Sequence, residues 1–477
     1  MRKRHSRGPR PHSDEVTLDP ARPRRGRAAL GSALAAALVA LSALPGCSRS
    51  EASVAKPGAP ASGASPSSAP PAPVAALADA AAAAPSPARP RNVLLISVDS
   101  LRSDMPWAGY PRAIAPRLTA FEAQSVSYTH AYAISSYTSM SLGGLLAGRY
   151  PHELSRDGYF FGKYAASNQF FPELLQAAHV HTASAHAHGY FEGAGFEQGF
   201  DVWKILPNLK WNAKADENVT SPAHEQLAEE LLTAAAARAQ SGRFFAWFHF
   251  LDPHDNYQDH TADGVEPFGK RARDRYDGEV LFTDRYVGKL LDFVEAAPWG
   301  KDTVVVVTSD HGEAFGEHGQ TRHGFEIWEN LVRVPLMVRA PGARPRRIDE
   351  PRSAIDLAPT FLDLLGVKGA ETLPGKSLVP ELLGGPAVAR DVVVDLPATS
   401  DNDRRRAVVS GKWKMVAYGA QQLYFNLFDL EADPGELSPI LKGDDFERMR
   451  ARYKEATAGI KDVPATRCGK GCLEGSK

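Results

Sequence analysis

The chain has 477 residues, of which 43% are hydrophobic and 23% charged, so it is long enough to bury a large core and has an ordinary globular composition. Its 55 Lys and Arg against 56 Asp and Glu give a formal charge of −1, but residues 1–46 carry nine basic and three acidic side chains, which leaves 46 − 53 = −7 for the remainder. A mildly acidic body excludes nucleic acid as an expected partner, and three cysteines exclude a disulfide framework.

An export signal is predicted for residues 1–46. Basic residues precede an apolar stretch over 28–45, which is the pattern of a secretory signal. The stretch ends at Leu44-Pro45-Gly46-Cys47, which resembles a bacterial lipobox, so Cys47 is the expected lipidation site and the membrane an expected partner through that lipid. An uncleaved anchor and plain secretion stay open, because the apolar run is almost long enough to span a bilayer. All three alternatives place the body outside the cytoplasm, with a lipoprotein of the outer membrane or periplasm as the favoured interpretation.

The segments that flank the body are predicted to be irregular. Residues 47–90 are rich in Ala, Pro and Ser and almost lack large apolar side chains, so they cannot bury enough surface to fold. We predict that they form a flexible tether. Residues 461–477 form a tail in which Cys468 and Cys472 lie close enough in sequence to bridge. An oxidising compartment favours that disulfide, and two free thiols are the alternative.

Short apolar runs rich in β-branched residues predict buried parallel strands. Three such runs end in acids or histidines: 93–98 before Asp99, 303–308 before Ser309-Asp310-His311, and 244–251 before Asp252-Pro253-His254. Helical patterns at 221–240 and 280–294 lie between strands, and this alternation predicts an open α/β sheet. Because ligands bind beyond the carboxyl ends of strands in such sheets, these residues predict a metal or anion site at one edge.

Further along the chain, short β runs at 391–395, 407–410 and 413–416 are separated by turn residues. A final helix is predicted over 446–457. These elements follow the main α/β pattern along the chain.

Several segments occur in the order typical of the sulfatase family of the alkaline phosphatase superfamily. They are residues 92–104, 145–151, 308–324, 334–336, 356–360 and 428–436. The chain therefore resembles that family over roughly residues 90–440. The resemblance implies an alkaline phosphatase-like α/β fold, with a mixed, mostly parallel central sheet flanked by helices. This catalytic domain is expected over residues 91–370, and a small C-terminal antiparallel α+β subdomain over 371–460.

The resemblance places the nucleophile seven residues before Leu145, at Thr138. Ordinary sulfatases carry Cys or Ser in a Cys/Ser-x-Pro-x-Arg context that is converted to formylglycine, whereas this chain has Thr138, Met140 and Leu142. A formylglycine mechanism is therefore not expected, and Thr138 resembles the nucleophile of phosphate-handling relatives. We expect Thr138 to begin a helix, whose free N–H groups favour an anion.

The implied metal ligands are Asp99, Thr138, Asp310 and His311. They would hold a divalent ion, either Mn²⁺, Zn²⁺, Mg²⁺ or Ca²⁺, that activates the threonine. His254 and His323 match family positions that bind the transferred group or protonate the leaving oxygen. The predicted function is hydrolysis of anionic sulfate or phosphate esters through a covalent intermediate. A phosphoethanolamine or phosphoglycerol transferase and a catalytically silent binding lipoprotein are the alternatives.

Overall fold

The structure is a computed structural model that describes residues 92–160, 162–210, 217–239, 242–419 and 422–463. The predicted signal, the tether, the lipidation site Cys47 and the cysteine pair Cys468 and Cys472 lie outside these residues. Within the described ranges, none of the helices combines the length and hydrophobicity that crossing a bilayer requires.

The central sheet has eight strands in the order β10-β2-β9-β7-β1-β6-β4-β5. Their bounds are β1 Asn92–Val98, β2 Val126–Tyr128, β4 His181–His186, β5 Val202–Ile205, β6 Phe244–Phe250, β7 Thr303–Ser309, β9 Leu336–Arg339 and β10 Arg346–Ile348. Only β9 runs antiparallel to its neighbours β2 and β7. The sheet is therefore mixed and mostly parallel, which confirms the predicted fold class.

A second, three-stranded sheet has the order β11-β3-β8. Its strands are β3 Ala131–Tyr132, β8 Arg333–Val334 and β11 Arg352–Ser353.

The three predicted runs of the central sheet are confirmed at β1, β6 and β7, all of which are fully buried.

Helices cover both faces of the central sheet. The α-helices of the described residues are α1 Pro116–Glu122, α2 Thr138–Ala147, α3 Phe171–Ala177, α4 Ser221–Arg238, α5 Ala272–Ala296, α6 Glu329–Val332, α7 Leu357–Leu364, α8 Val379–Leu382 and α9 Asp444–Thr457. Alternate side chains of β1 enter two separate cores, since successive residues of a strand point to opposite faces. Val93 and Leu95 pack in the core that contains α2, α3 and α7, whereas Leu94 and Ile96 pack in the core that contains α1, α4 and α5.

The C-terminal part contains a four-stranded antiparallel sheet, β12-β13-β14-β15. Its strands are β12 Val392–Leu396, β13 Arg405–Ser410, β14 Trp413–Tyr418 and β15 Tyr424–Asp429. Helix α9 packs on this sheet through Phe446, Met449 and Tyr453. The three predicted β runs and the final helix are confirmed, and β15 is a strand that the sequence analysis did not predict.

Candidate active site

Two neighbouring strands bring their terminal aspartates together. Strands β1 and β7 are parallel with Val98 opposite Ser309, so the next residues, Asp99 and Asp310, lie side by side at the carboxyl edge of the sheet. Both carboxylates are buried. Ser100 adopts a left-handed backbone conformation with φ 58°, and its N–H donates to Asp310 Oδ1 at 3.2 Å. The strand end is therefore shaped to hold one carboxylate beside the other.

Helix α2 carries Thr138 to the same place. Tyr137 is extended and forms the N-cap, so the helix begins at Thr138 as the sequence predicts. Gly148 ends it in the left-handed conformation that favours glycine. Thr138 Oγ1 lies 3.0 Å from His311 Nε2, so the first residue of the helix contacts the segment that follows β7.

The orientation of His311 leaves a lone pair facing this threonine. His311 Nδ1 lies 2.9 Å from the carbonyl oxygen of Gly312 and donates to it, because a carbonyl can only accept. The other nitrogen, Nε2, is then the acceptor of the neutral ring. Gly312 is required by close packing, since a Cβ there would lie 2.1 Å from the carbonyl oxygen of Asn330.

The donor atoms fit a single divalent cation. One ligand atom from each of Asp99, Asp310 and His311 lies within 4.8 Å of the others. His311 Nε2 is 3.4 Å from Asp310 Oδ2 and 3.7 Å from Asp99 Oδ1. Ligands of a tetrahedral zinc ion are separated by about 3.4 Å when the metal–ligand bonds are about 2.1 Å. Asp310 Oδ2 is buried and has no hydrogen-bond partner within the described part of the chain, so this oxygen is oriented as a ligand would be.

The protonation preferences of the three groups agree with this arrangement. Burial opposes ionisation of Asp99, but the imidazoles of His254, His249 and His311 hold its pKa well below the usual range. Burial, together with the charge of Asp99, raises the pKa of Asp310. Burial lowers the pKa of His311, which favours the neutral ring that a metal ligand requires. A divalent cation would offset the repulsion between the two carboxylates.

A cleft of about 440 Å³ opens above these residues. It is lined by Asp99, Tyr137, Thr138, Ser139, His188, Tyr190, Phe191, Leu251, His254 and His323. Both histidines that the family resemblance selected therefore border it. The ring centroid of His323 lies 4.1 Å from that of His311 and 5.1 Å from that of His254. The three imidazoles form one group beside Thr138.

Hydrogen bonds distinguish the two cleft histidines. His254 Nδ1 lies 2.7 Å from the carbonyl oxygen of Asp255 and donates to it, which leaves Nε2 as an acceptor in the neutral ring. His323 Nδ1 lies 3.3 Å from Oε1 of Glu313. Burial opposes ionisation of Glu313, but His323 lowers its pKa below the ordinary value. An ionised carboxylate can only accept, so Nδ1 of His323 donates the hydrogen bond to Glu313.

Asp252 does not join the site, although it ends one of the three predicted strand runs. Its Oδ1 accepts from Thr220 N at 2.7 Å and its Oδ2 from Ser221 N at 2.7 Å. Asp252 therefore stabilises the start of α4. His186, at the end of β4, is fully buried, whereas His188, two residues further on, lines the cleft.

The sequence analysis missed His249, which lies inside β6 opposite Ser97 of β1. Its Nε2 is 3.2 Å from Asp99 Oδ2 and 4.0 Å from Asp310 Oδ2. The signal was present in the sequence, since a histidine within an otherwise apolar strand needs a buried polar partner. Ser97 is the matching polar residue in β1.

Comparisons with known proteins identify the family. The model of the family described as Sulfatase matches residues 91–367, and the model of N-sulphoglucosamine sulphohydrolase, C-terminal, matches residues 316–462. A choline-sulfatase from Rhizobium meliloti (strain 1021) is 35% identical over 201 residues, which cover 40% of this chain and 38% of that protein. The matched part is thus well under half of the choline-sulfatase.

Two longer matches extend over most of the body. An ulvan-active sulfatase from Formosa agariphila is 24% identical over 420 residues, which cover 76% of this chain and 79% of that protein. The crystal structure of a phosphonate monoester hydrolase of Agrobacterium radiobacter has a TM-score of 0.59 at 18% identity, and the match covers 78% of this chain and 95% of that one. The structural match shows a shared fold.

Proposed function

Because this chain belongs to the sulfatase family, we propose that it is a metal-dependent hydrolase of sulfate esters in which the Thr138 hydroxyl is the nucleophile. The observation that supports the proposal most directly is the 3.0 Å separation of Thr138 Oγ1 and His311 Nε2 beside two buried carboxylates. No ordinary structural role needs a hydroxyl, an imidazole and two carboxylates at one strand edge. A metal-activated nucleophile does need them.

The proposed metal ligands are Asp99, Asp310, His311 and Thr138. Such a mixed oxygen and nitrogen donor set suits Mn²⁺ or Zn²⁺, with Mg²⁺ and Ca²⁺ as alternatives. A divalent cation bound there would lower the pKa of the Thr138 hydroxyl, so that its proton passes to solvent before substrate binds. The remaining steps follow from the protein groups.

In the first step, the Thr138 oxygen attacks the sulfur and the bond from sulfur to the alcohol oxygen breaks. His323, which Glu313 holds through Nδ1, is the general acid that gives a proton to the leaving alcohol. In the second step, His254 takes a proton from water through its free Nε2 acceptor. The water oxygen bonds to sulfur, the bond from sulfur to the Thr138 oxygen breaks, and hydrogen sulfate leaves and ionises in solvent. His254 then loses its proton to solvent and His323 takes one up. The N-terminal N–H groups of α2 stabilise the anion in both steps.

Charge favours a monoanionic substrate. Among the described residues that line the cleft there is no lysine or arginine. Three buried carboxylates, Asp99, Asp310 and Glu313, would oppose one divalent cation and the single proton that the general acid gives up, so the loaded site would hold no surplus positive charge. A sulfate monoester or a phosphodiester carries one negative charge, whereas a phosphate monoester carries nearly two. We therefore rank phosphodiesters as the second candidate, because threonine stands at the nucleophile position.

Three aryl esters with the same leaving group test the proposal: a sulfate, a phosphodiester and a phosphate monoester. We expect hydrolysis of the sulfate, loss of that activity after chelation, and recovery with one of the four divalent ions. Thr138→Val should abolish turnover, and Thr138→Ser is the matched control that keeps a hydroxyl. Turnover by Thr138→Val at the wild-type rate would refute the nucleophile. Release of the leaving group only with an added acceptor alcohol would indicate a transferase. Absence of turnover in a protein that binds metal would indicate a binding lipoprotein.

We also propose that the mature protein is a lipid-anchored, extracytoplasmic lipoprotein. The proposal depends on the basic and apolar segments that precede Cys47. Metabolic labelling with a radioactive fatty acid in a bacterial host should label the wild type and not Cys47→Ala. Equal labelling of both would refute Cys47 as the site. A wild-type chain that loses its N-terminal signal but carries no label would support plain secretion. A chain that keeps the N-terminal segment would support an uncleaved anchor.

A further inference from the structure

His249 lies behind the proposed metal site, and its hydrogen bonds determine which nitrogen carries the proton. Trp247 Nε1 lies 2.8 Å from Ser97 Oγ, and Ser97 Oγ lies 2.8 Å from His249 Nδ1. All three side chains are buried. The indole N–H can only donate, so the serine oxygen accepts from Trp247.

The serine hydroxyl proton then needs an acceptor. Within the described part of the chain, the hydrogen-bonded neighbours of Ser97 Oγ are the indole nitrogen and His249 Nδ1. If His249 Nδ1 also donated, the hydroxyl proton would be buried without a partner, which costs about 1–3 kcal/mol. Ser97 therefore donates to His249 Nδ1, and the proton of the neutral ring is on Nε2.

That proton is directed at a proposed metal ligand. His249 Nε2 lies 3.2 Å from Asp99 Oδ2 and donates to it. A protonated Nε2 cannot bind a metal ion, so His249 is not itself a ligand. The bond fixes the orientation of the Asp99 carboxylate. Its Oδ1 accepts from Ser100 Oγ at 2.8 Å and keeps a second lone pair for the cation, 3.7 Å from His311 Nε2.

We propose that His249 is a positioning residue, and that the Trp247–Ser97–His249 chain fixes the tautomer that orients the carboxylate of Asp99. The inference rests on the proposed metal site and deepens it. Outer groups that orient a metal ligand change metal affinity by about 10- to 100-fold when removed. His249→Phe keeps an aromatic ring and removes the donor. The apoprotein of this variant should therefore bind Mn²⁺ or Zn²⁺ about 10- to 100-fold more weakly than the wild type.

His186 offers a matched control. It lies in the same row of the sheet, directly opposite His249 on β4, and it is equally buried. It packs against Trp203 and Trp247, with ring centroids 4.2 and 4.5 Å away. His186→Phe should therefore leave metal affinity unchanged. His249→Gln should restore most of the affinity, because its amide N–H₂ can donate where Nε2 did.

Two measurements decide the proposal. Titration calorimetry of the full chain, stripped of metal, compares the affinities of the wild type and the three variants. Nitrogen NMR of the ¹⁵N-histidine-labelled apoprotein, with the His249 signals assigned by their loss in His249→Gln, reports the tautomer directly. Weak binding by His249→Phe alone, with a proton on Nε2, supports the proposal. A proton on Nδ1, or wild-type affinity in His249→Phe, would overturn it.

The same measurements separate this inference from the proposed function. Both are made without substrate, so an inactive protein that binds metal through an oriented Asp99 would contradict the ester hydrolase and not the role of His249. A wild-type protein that binds none of the divalent ions would overturn both the metal site and the role of His249 in it.

Discussion

The substitution Asp310→Asn should stabilise the metal-free protein. Asp310 Oδ1 accepts from Ser100 N at 3.2 Å and from His311 N at 2.9 Å, and an asparagine oxygen can keep both bonds. The other oxygen is buried, has no hydrogen-bond partner among the described residues, and lies 3.4 Å from His311 Nε2. An amide N–H₂ in its place can donate to that nitrogen, because the Thr138 hydroxyl that otherwise occupies its lone pair borders the cleft and can turn to water. The like charge beside Asp99 also disappears.

The magnitude follows from the cost of one buried, unsatisfied polar atom. Relief of that cost is worth about 1–3 kcal/mol, and we expect the free energy of unfolding of the apoprotein to rise by this amount. With metal bound, we expect the wild type to be more stable than Asp310→Asn. A ligand at about 1,000 times its Kd stabilises the native state by about 4 kcal/mol, and only the wild type retains the ligand oxygen needed to gain it.

Asp252→Asn is the matched control, because Asp252 also follows a buried strand and both of its oxygens accept from backbone N–H groups. There the amide would face an N–H group, so this variant should lose stability with or without metal. Denaturant unfolding of the three proteins, with chelator and with metal, provides the assay. An Asp310→Asn apoprotein less stable than the apo wild type would refute the reasoning.

Two further predictions concern the surroundings of the site and the C-terminal sheet. Gly312→Ala would place a Cβ 2.1 Å from the carbonyl oxygen of Asn330, so we expect weaker metal binding and a lower melting temperature. Gly459→Ala, with no atom within 4 Å of the added Cβ and no positive φ, tests the effect of glycine replacement alone. Wild-type metal affinity in Gly312→Ala would contradict the packing argument. Burial opposes ionisation of Asp395, but His152 and an adjacent arginine hold its pKa well below the usual value. This stabilisation is present above about pH 4 and is lost as the pH falls through the folded-state pKa; Asp395→Asn should therefore be less stable at neutral pH and converge on the wild type in acid. A constant difference in unfolding free energy across that range would refute the assignment.

The sequence predicted the parts of the site that depend on one segment at a time. The apolar, β-branched runs before Asp99 and Asp310 favour buried strands, and adjacent parallel strands bring their ends together. Thr138 was located by a family spacing, and the helix that begins there places its hydroxyl 3.0 Å from His311.

The features that depend on register could not be predicted in the same way. His249 contacts Asp99 because β6 lies beside β1 with Ser97 opposite it, and no local pattern determines that pairing. Asp252 follows a strand as Asp99 does, but the N-terminus of α4 satisfies it. Strand β15 was missed because its first residues are exposed or half-buried, and it lacks a run of buried apolar side chains.

The most direct test of the account is the identity of the covalent intermediate. The metal-loaded protein would be mixed with an excess of aryl sulfate, quenched in acid during turnover, digested and analysed by tandem mass spectrometry. We predict a mass increment of one SO₃ group on the peptide that contains Thr138, located at that residue and absent from Thr138→Val. Turnover with no adduct at Thr138, or with the adduct on another side chain, would contradict the central claim.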